Sequence, residues 1–228
     1  MNQSSYIILG AGASGLLLAY RMSLDSYFDD KSILIIDQVK DKGNDKTWCY
    51  WEEGEGEWDE LLTKKWPKVF FGSKDFTETL DISPYSYKMI RSEKFYHKLW
   101  RSIELKSNIT FVEDSVKTYT EIDNRVKVVT NKSTYFGLKL LNSILDKTVY
   151  ETQQKYPVLQ QHFVGWFVKT KTDCFDDSIA TFMDFNVPQN GNTRFMYVLP
   201  IDKNIALFEY TLFSKDLLEH SEYEEAIK

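Results

Sequence analysis

Tyr6-Ile7-Ile8-Leu9-Gly10-Ala11-Gly12-Ala13-Ser14-Gly15-Leu16-Leu17-Leu18-Ala19-Tyr20, followed by Ser32-Ile33-Leu34-Ile35-Ile36-Asp37, is the stretch that decides the fold. A short apolar run from Tyr6 to Leu9 gives way to glycines, then to the helical spacing Leu16, Leu17, Ala19, Tyr20, then to a second apolar run. That order is a βαβ unit. Between its first strand and its helix stands G-x-G-x-x-G, where a dinucleotide site requires it. Gly10 permits the tight turn, Gly12 lets the backbone approach a pyrophosphate, and Gly15 lets the helix pack close to the strand. The first helical amides, around Ala13 and Ser14, then present N–H groups and a partial positive charge to the phosphates. Asp37 ends the second strand, where a carboxylate can accept hydrogen bonds from both ribose hydroxyls.

An acidic residue at Asp37 disfavours a 2′-phosphate, so the expected ligand at this turn is FAD or NAD(H) rather than NADP(H). Position narrows the choice. A glycine fingerprint within the first fifteen residues, followed later by a β-meander instead of further βα units, is the layout of FAD-binding flavoproteins.

From Arg91 onward Phe95, Leu99 and Ile103 recur every four residues, with Ser92 as the candidate N-cap, and this reads as a second amphipathic helix. Strand-like runs follow at Thr110 to Glu113, Arg125 to Thr130 and Leu138 to Asn142. From Gln161 the pattern changes to long alternating strands, at 162–170, 180–187, 194–199 and 205–213. Asn190-Gly191 and Asp202-Lys203-Asn204 suit hairpin turns between the last three, so the reading is an antiparallel meander. The expected architecture is therefore α/β (α+β). A Rossmann-like dinucleotide-binding domain takes residues 1–60 and 88–150, and a partial antiparallel substrate domain takes residues 61–87 and 151–228. Residues 216–228 are helical in composition and stop without a C-cap glycine, which gives the expectation of a chain incomplete at its C-terminus.

Composition excludes several classes. The 228 residues are 43% hydrophobic, enough to bury one large core or two smaller ones. A net charge of -6 with mixed signs leaves no basic face for a phosphate backbone, so nucleic acid is not an expected partner. No run reaches the roughly 18 apolar residues of a membrane span, and the N-terminus lacks the pattern of a secretory signal. The expected location is the cytoplasm. Cys49 and Cys174 are far apart and read as small buried hydrophobes, and His97, His162 and His220 are scattered, so no metal site is expected.

Asp45-Lys46-Thr47-Trp48-Cys49-Tyr50-Trp51-Glu52 resembles the Arg-Thr-Trp-Cys-Phe-Trp-Glu type segment of bacterial lycopene cyclases. Three further stretches are similar in the same order. They are Gln161-His162-Phe163-Val164-Gly165-Trp166, Phe182-Met183-Asp184-Phe185, and Tyr197-Val198-Leu199-Pro200 followed by Phe208-Glu209-Tyr210-Thr211. With the glycine fingerprint the resemblance runs from residue 6 to about 214.

The resemblance implies a flavoprotein that closes the ψ ends of lycopene to β-ionone rings with no net redox change. It needs reduced FAD, with NADPH as an electron source. By position it implies Glu209 as the general acid and Asp184 as its assistant. Lys46, Thr47, Trp48 and Arg91 become cofactor candidates, and Val116, taken as lying on the strand after the second helix, a candidate for backbone bonds to adenine. Where Lys46 stands the family pattern has arginine, and bidentate contacts differ there. Leu141-Asn142-Ser143-Ile144 falls where related proteins bring a loop near the flavin. The implied partners are lycopene or a related carotenoid and, because that substrate is insoluble, a membrane surface touched peripherally, such as the inner membrane. The family's chains continue past Lys228.

Two alternatives share these features: an FAD-dependent monooxygenase or prenyl reductase, and an inactive N-terminal fragment of such a flavoprotein. Register is also open. With a four-residue loop at 201–204, Glu209 pairs opposite Met196 and Met183 and faces away from Asp184. A five-residue loop or a bulge puts both carboxyls on one side.

Overall fold

The computed structural model describes residues 3–145, 155–156 and 158–228, which fall into two compact units. One is formed by residues up to 46 together with those from 91 to 145, the other by residues 47–90 and those from 155 onward. The first boundary lies at 46/47, not at 60, because β3 (Thr47–Glu53) pairs within the second unit. The boundary expected at 150 lies outside the described residues.

In the first unit β1 (Gln3–Leu9) leads through the glycine turn into α1 (Ala13–Leu24) and back to β2 (Ile33–Asp37). β2 reads Ile-Leu-Ile-Ile and is buried along all four, as a parallel strand covered on both faces should be. After α2 (Ser92–Ile103) come β8 (Ile109–Glu113), β9 (Val116–Ile122), β10 (Arg125–Thr130) and β11 (Thr134–Asn142). The sheet order is β8-β2-β1-β11-β10-β9; the first four strands are parallel and the last two antiparallel. β9 and β10 are joined by Asp123 and Asn124, with φ of 50° and 58°, the left-handed pair of a two-residue hairpin turn. Phe95, Leu99 and Ile103 are buried as their spacing requires. Ser23 and Ser102 meet at 3.2 Å between α1 and α2.

Three sequence expectations change here. The N-cap residue of α2 is Arg91, and Ser92 is its first helical residue. Val116 opens β9 opposite Thr130, one strand later than expected, because β8 already follows α2. Cys174 is exposed in the loop before the strand that starts at Ile179, its thiol 3.3 Å from the Thr170 hydroxyl.

The second unit has two sheets. One has the order β3-β7-β4, where β4 is Leu62–Trp66 and β7 is Tyr85–Arg91. The other holds β5 (Lys68–Ser73), β6 (Phe76–Asp81), β12 (Gln160–Lys169), β13 (Ile179–Asp184), β14 (Thr193–Asp202) and β15 (Ile205–Ser214) in the order β12-β15-β14-β13-β5-β6. β13, β14 and β15 form the expected meander. β12 does not precede it as a neighbour of β13; it crosses to the far edge and pairs with β15 from Gln160↔Ser214 to Lys169↔Ile205. β5 adds parallel to β13, so the sheet is mixed. Trp66, Val69, Tyr87, Met89, Ala180, Leu199 and Leu207 form the core of this unit, and the Trp66 indole donates to the Pro200 carbonyl at 3.0 Å. The closing helix, α3 (His220–Ile227), lays Tyr223 against Tyr210 and Leu212.

No helix among the described residues is long and apolar enough to cross a membrane.

Candidate functional site

The glycine turn is built from backbone. Gly10 has φ of +91°, a conformation that side chains resist, and its amide donates to the Ile36 carbonyl at 2.8 Å. A Cβ on Gly15 would overlap the Gly10 carbonyl oxygen, so helix and strand approach this closely through that glycine. A Cβ on Gly12 would meet nothing within 4 Å. Open space therefore lies above the residue that caps α1, and no side chain caps that helix. Ala13 is half-buried and Ser14 exposed, leaving the first turn accessible. An anion at this uncapped terminus meets both the N–H groups and the positive end of the dipole.

Asp37 ties the turn together. Its Oδ2 accepts from the Ala11 amide at 2.5 Å, and its Oδ1 accepts from the Lys42 ammonium at 3.0 Å and the Val39 amide at 3.2 Å. Burial works against its charge, but these three donors outweigh burial and hold the carboxyl below its ordinary value. Ser143 closes the other side, its hydroxyl donating to the carbonyls of Leu9 at 2.8 Å and Gly10 at 3.2 Å. Neither Lys42 nor Ser143 carried a sequence signal for these bonds: that of Lys42 depends on the path of the loop after β2, and those of Ser143 on β11 lying beside β1.

Lys46 sits at the start of α2, where its amide donates to the Ser92 hydroxyl at 3.0 Å and its carbonyl accepts from the Ser92 amide at 2.9 Å. Ser92 thus pins the segment before Thr47 instead of capping its own helix. Arg91 begins the same helix. Thr47 and Trp48 open β3. The rest of the Trp-Cys-Tyr-Trp-Glu segment is bound into the second unit. The Trp51 ring lies 4.7 Å from Tyr87 and 5.1 Å from Phe182, and Glu52 pairs with Lys88 at 2.8 Å.

Glu209 lies in a different place, a cleft of about 220 Å³ within the second unit. Thr47, Cys49, Tyr87, Tyr197 and Thr211 share that cleft. Burial pushes the Glu209 carboxyl up, toward the protonated state. Its neighbours are shifted in the same direction. Burial pushes the Cys49 thiol up to about 12 against a hydrogen bond to Tyr87, and burial also raises Tyr87 and Tyr197. In register Glu209 stands between Gly165 and Tyr197. A Cβ on Gly165 would come within 3.0 Å of Glu209 Cγ, so a glycine there leaves the carboxyl room.

Asp184 is opposite Met196, the residue beside Tyr197, so its side chain leaves the sheet on the face away from Glu209. Two irregularities cause this. One between Pro200 and Asp202 moves Glu209 from opposite Val198, where the Asp202↔Ile205 pair would set it, to opposite Tyr197, and one between Thr181 and Asp184 moves Asp184 from opposite Phe195 to opposite Met196. The two cancel. Asp184 instead accepts from its own neighbour, Asn186, at 2.8 Å.

A sheet with four parallel strands, a glycine turn and Asp37, joined to a second unit of mixed sheet, defines a Rossmann-like dinucleotide-binding protein of the two-unit kind. The chain matches the family model described as lycopene cyclase protein over residues 6–228, and it belongs to that family. A comparison with curated protein sequences finds no match. Among solved structures, it is similar to a geranylgeranyl bacteriochlorophyll reductase-like protein from Thermoplasma acidophilum, with a TM-score of 0.67 and 11% identity. That match covers 100% of this chain and 61% of the other, so the chain spans less than two thirds of that relative. The open form of NikD, an unusual amino acid oxidase, matches at 0.68 and 12%, covering 100% and 76% of the two chains. The halogenase PltM, in complex with phloroglucinol and FAD, matches at 0.63 and 10%, covering 97% and 55%. At these identities the likeness is one of fold.

Proposed function

We propose that this protein is an FAD-dependent lycopene β-cyclase that closes the ψ ends of lycopene, or of a related carotenoid, to β-ionone rings. The observation that carries the reading is Glu209, a half-buried carboxyl biased toward its protonated form in a cleft walled by Tyr87, Tyr197 and Cys49. A hydrocarbon can be activated by protonation, and a proton donor must hold its proton near neutral pH.

FAD fits the first unit. The uncapped start of α1 would take the pyrophosphate, the open space over Gly12 admits it, and Asp37 would take the ribose hydroxyls. Lys46, Thr47, Trp48, Arg91 and the backbone at Val116 are further candidates for holding the cofactor. When bound in its reduced form, with NADPH as the electron source, FAD would supply negative charge that stabilises a cation in a dry site.

The chain's own residues do the rest. Glu209 holds the proton that passes to the terminal double bond, which leaves a tertiary carbocation on the substrate. A nearby double bond captures that cation, and loss of a ring proton returns the balance. The Tyr87 and Tyr197 rings exclude water and offer π faces to positive charge. Asp184, on the opposite face of the sheet, is not placed to assist Glu209. Peripheral contact with a membrane surface follows from the insolubility of the substrate and belongs to the same proposal, as does a cytoplasmic location.

Expression in a lycopene-accumulating bacterium tests the reading. The pigment is expected to shift from red to orange, and Glu209→Gln to leave it red. Normal cyclisation by that variant would remove Glu209 as the acid. NADPH oxidation by the purified protein in the absence of lycopene would favour instead a prenyl reductase or monooxygenase.

A further inference from the structure

Gly165 is a glycine that its own backbone does not require. It lies inside β12, whose pairing with β15 runs from Gln160↔Ser214 to Lys169↔Ile205 without a register shift, and it is not among the glycines with positive φ. A glycine within a strand weakens it, and the usual reasons for one are a bulge, a sharp bend, or the close approach of a ligand or another segment. The unbroken ladder leaves the last.

Glu209 uses the space. A Cβ at position 165 would stand 3.0 Å from Glu209 Cγ, 3.4 Å from its Oε1 and 3.4 Å from Leu207 Cδ1. The acid side chain thus lies across bare backbone in the outermost strand of its sheet. Gly165 is exposed and Glu209 half-buried, so the way to the carboxyl over this strand is open. Phe163 and Phe167 share the face of Gly165, one on each side of it, and are 56% and 45% exposed. With a rise of about 3.3 Å per residue, each stands roughly 6.6 Å along the strand from the glycine. Phe163 also lines the cleft. The strand therefore presents two apolar walls with an opening between them and the carboxyl in the opening.

We infer that Gly165 is a specificity-determining residue, the opening through which the branched, apolar end of a polyene chain reaches the Glu209 carboxyl. This deepens the proposed function and rests on Glu209 being the acid. Protonation that leaves a tertiary cation requires a chain end that is branched at the reacting double bond, so the substrate is wide where it must meet the carboxyl. A residue without a side chain leaves that width. Phenyl walls suit a hydrocarbon, which gains by leaving water, and they offer π faces to the cation.

Hydrophobic carbodiimides, which add to protonated carboxyls, test this on the protein as it stands and without turnover. N,N′-dicyclohexylcarbodiimide is compared with the slimmer N,N′-diisopropylcarbodiimide at pH 6. Mass spectrometry follows the labelled peptide that contains Glu209, with Glu209→Gln as the blank. Both reagents are expected to label Glu209 in the unsubstituted protein. Gly165→Val should slow the dicyclohexyl reagent about tenfold and the diisopropyl reagent less, the order of effect that one overpacked contact gives. Gly165→Ala should fall between. Loss of the fold would act the other way, raising the labelling of many carboxyls by both reagents; should the valine variant do so, the alanine variant decides. Equal rates in all three proteins, or equal slowing of both reagents, overturn the role of Gly165 and leave Glu209 as the acid. If neither reagent labels Glu209 in the unsubstituted protein, the acid reading falls and this inference with it.

Discussion

Asp37 does two jobs that a sequence motif describes as one. The fingerprint reading assigns it to ribose hydroxyls, yet its Oδ2 is bound to the Ala11 amide and its Oδ1 to Lys42 and Val39. Asp37→Ala therefore removes a turn anchor as well as a ligand contact. Charge-assisted hydrogen bonds of this kind contribute about 1.5–3 kcal/mol, so FAD affinity should fall roughly 10- to 100-fold in a fluorescence titration. The pH dependence has a definite sign. Because the folded carboxyl lies below its ordinary value of 3.8, its stabilisation is present above that value and is lost as pH falls through the folded one. Glu209 behaves oppositely. Its folded value lies above the ordinary 4.5, so its contribution is present below 4.5 and is lost as pH rises through the folded value. Gly10, Gly12, Gly15 and Asp37 were legible because their spacing is local. The bond of Lys42 to Asp37 was not, because no pattern in residues 38–42 fixes the path that returns the ammonium to the carboxylate, and the bonds of Ser143 were not, because they exist only once β11 lies beside β1.

Among the secondary-structure elements, the legible ones are those whose residues alternate or recur without interruption. α2 shows this with Phe95, Leu99 and Ile103, and β12 with its alternation. Strands between 47 and 91 escaped notice because they are short and charged, as in Leu-Thr-Lys-Lys-Trp of β4 and Phe-Thr-Glu-Thr-Leu-Asp of β6. β7 places Lys88 at 0% exposure, where its ammonium reaches Glu52 at 2.8 Å, the Gly54 carbonyl at 2.9 Å and Asp59 at 2.6 Å. All three of its donors are used. Lys88→Met would remove the cation that Glu52 and Asp59 share, and chemical denaturation should report a loss of about 3 kcal/mol. The Trp-Cys-Tyr-Trp-Glu segment thus owes its glutamate to a structural lysine.

Helix α3 is secured by a chain of hydrogen bonds whose direction is fixed at both ends. The Leu218 amide must donate to the Tyr223 hydroxyl, and the Asp216 carbonyl must accept from Ser214. Between them, Nε2–H of His162 donates to the Ser214 hydroxyl at 2.7 Å, and in the neutral ring Nδ1 then accepts from the Tyr223 hydroxyl at 2.5 Å. Burial disfavours the charged ring and holds His162 below its ordinary value of 6.5. Protonation favours the unfolded chain, so this contribution is complete above 6.5 and declines as pH falls through the folded value. Hydrogen exchange at α3 should quicken on going from pH 7.5 to pH 5.5, after correction for intrinsic rates, more in the native protein than in His162→Gln.

Over the full chain, the two units owe their visibility in sequence to different causes. The first is specified by a motif whose chemistry is local. The second is specified by long-range pairing, where two single-residue shifts determine which carboxyl faces the cleft, and no spacing in the sequence reveals both. Membership of the lycopene cyclase family over residues 6–228 joins the two parts under one reading. Gly15→Ala probes the first unit, since its new Cβ would overlap the Gly10 carbonyl; overpacking of this sort costs about 1–3 kcal/mol and should lower the thermal midpoint.

Everything proposed for catalysis presupposes that the glycine turn and Asp37 cradle the adenosine diphosphate part of a flavin. Titration of the purified protein with FAD, followed by flavin fluorescence and compared with FMN, measures this. Saturable uptake of FAD, weakened in Asp37→Ala and not matched by FMN, is the expected result. A folded protein that takes up no FAD, or that binds FMN equally well, would contradict it.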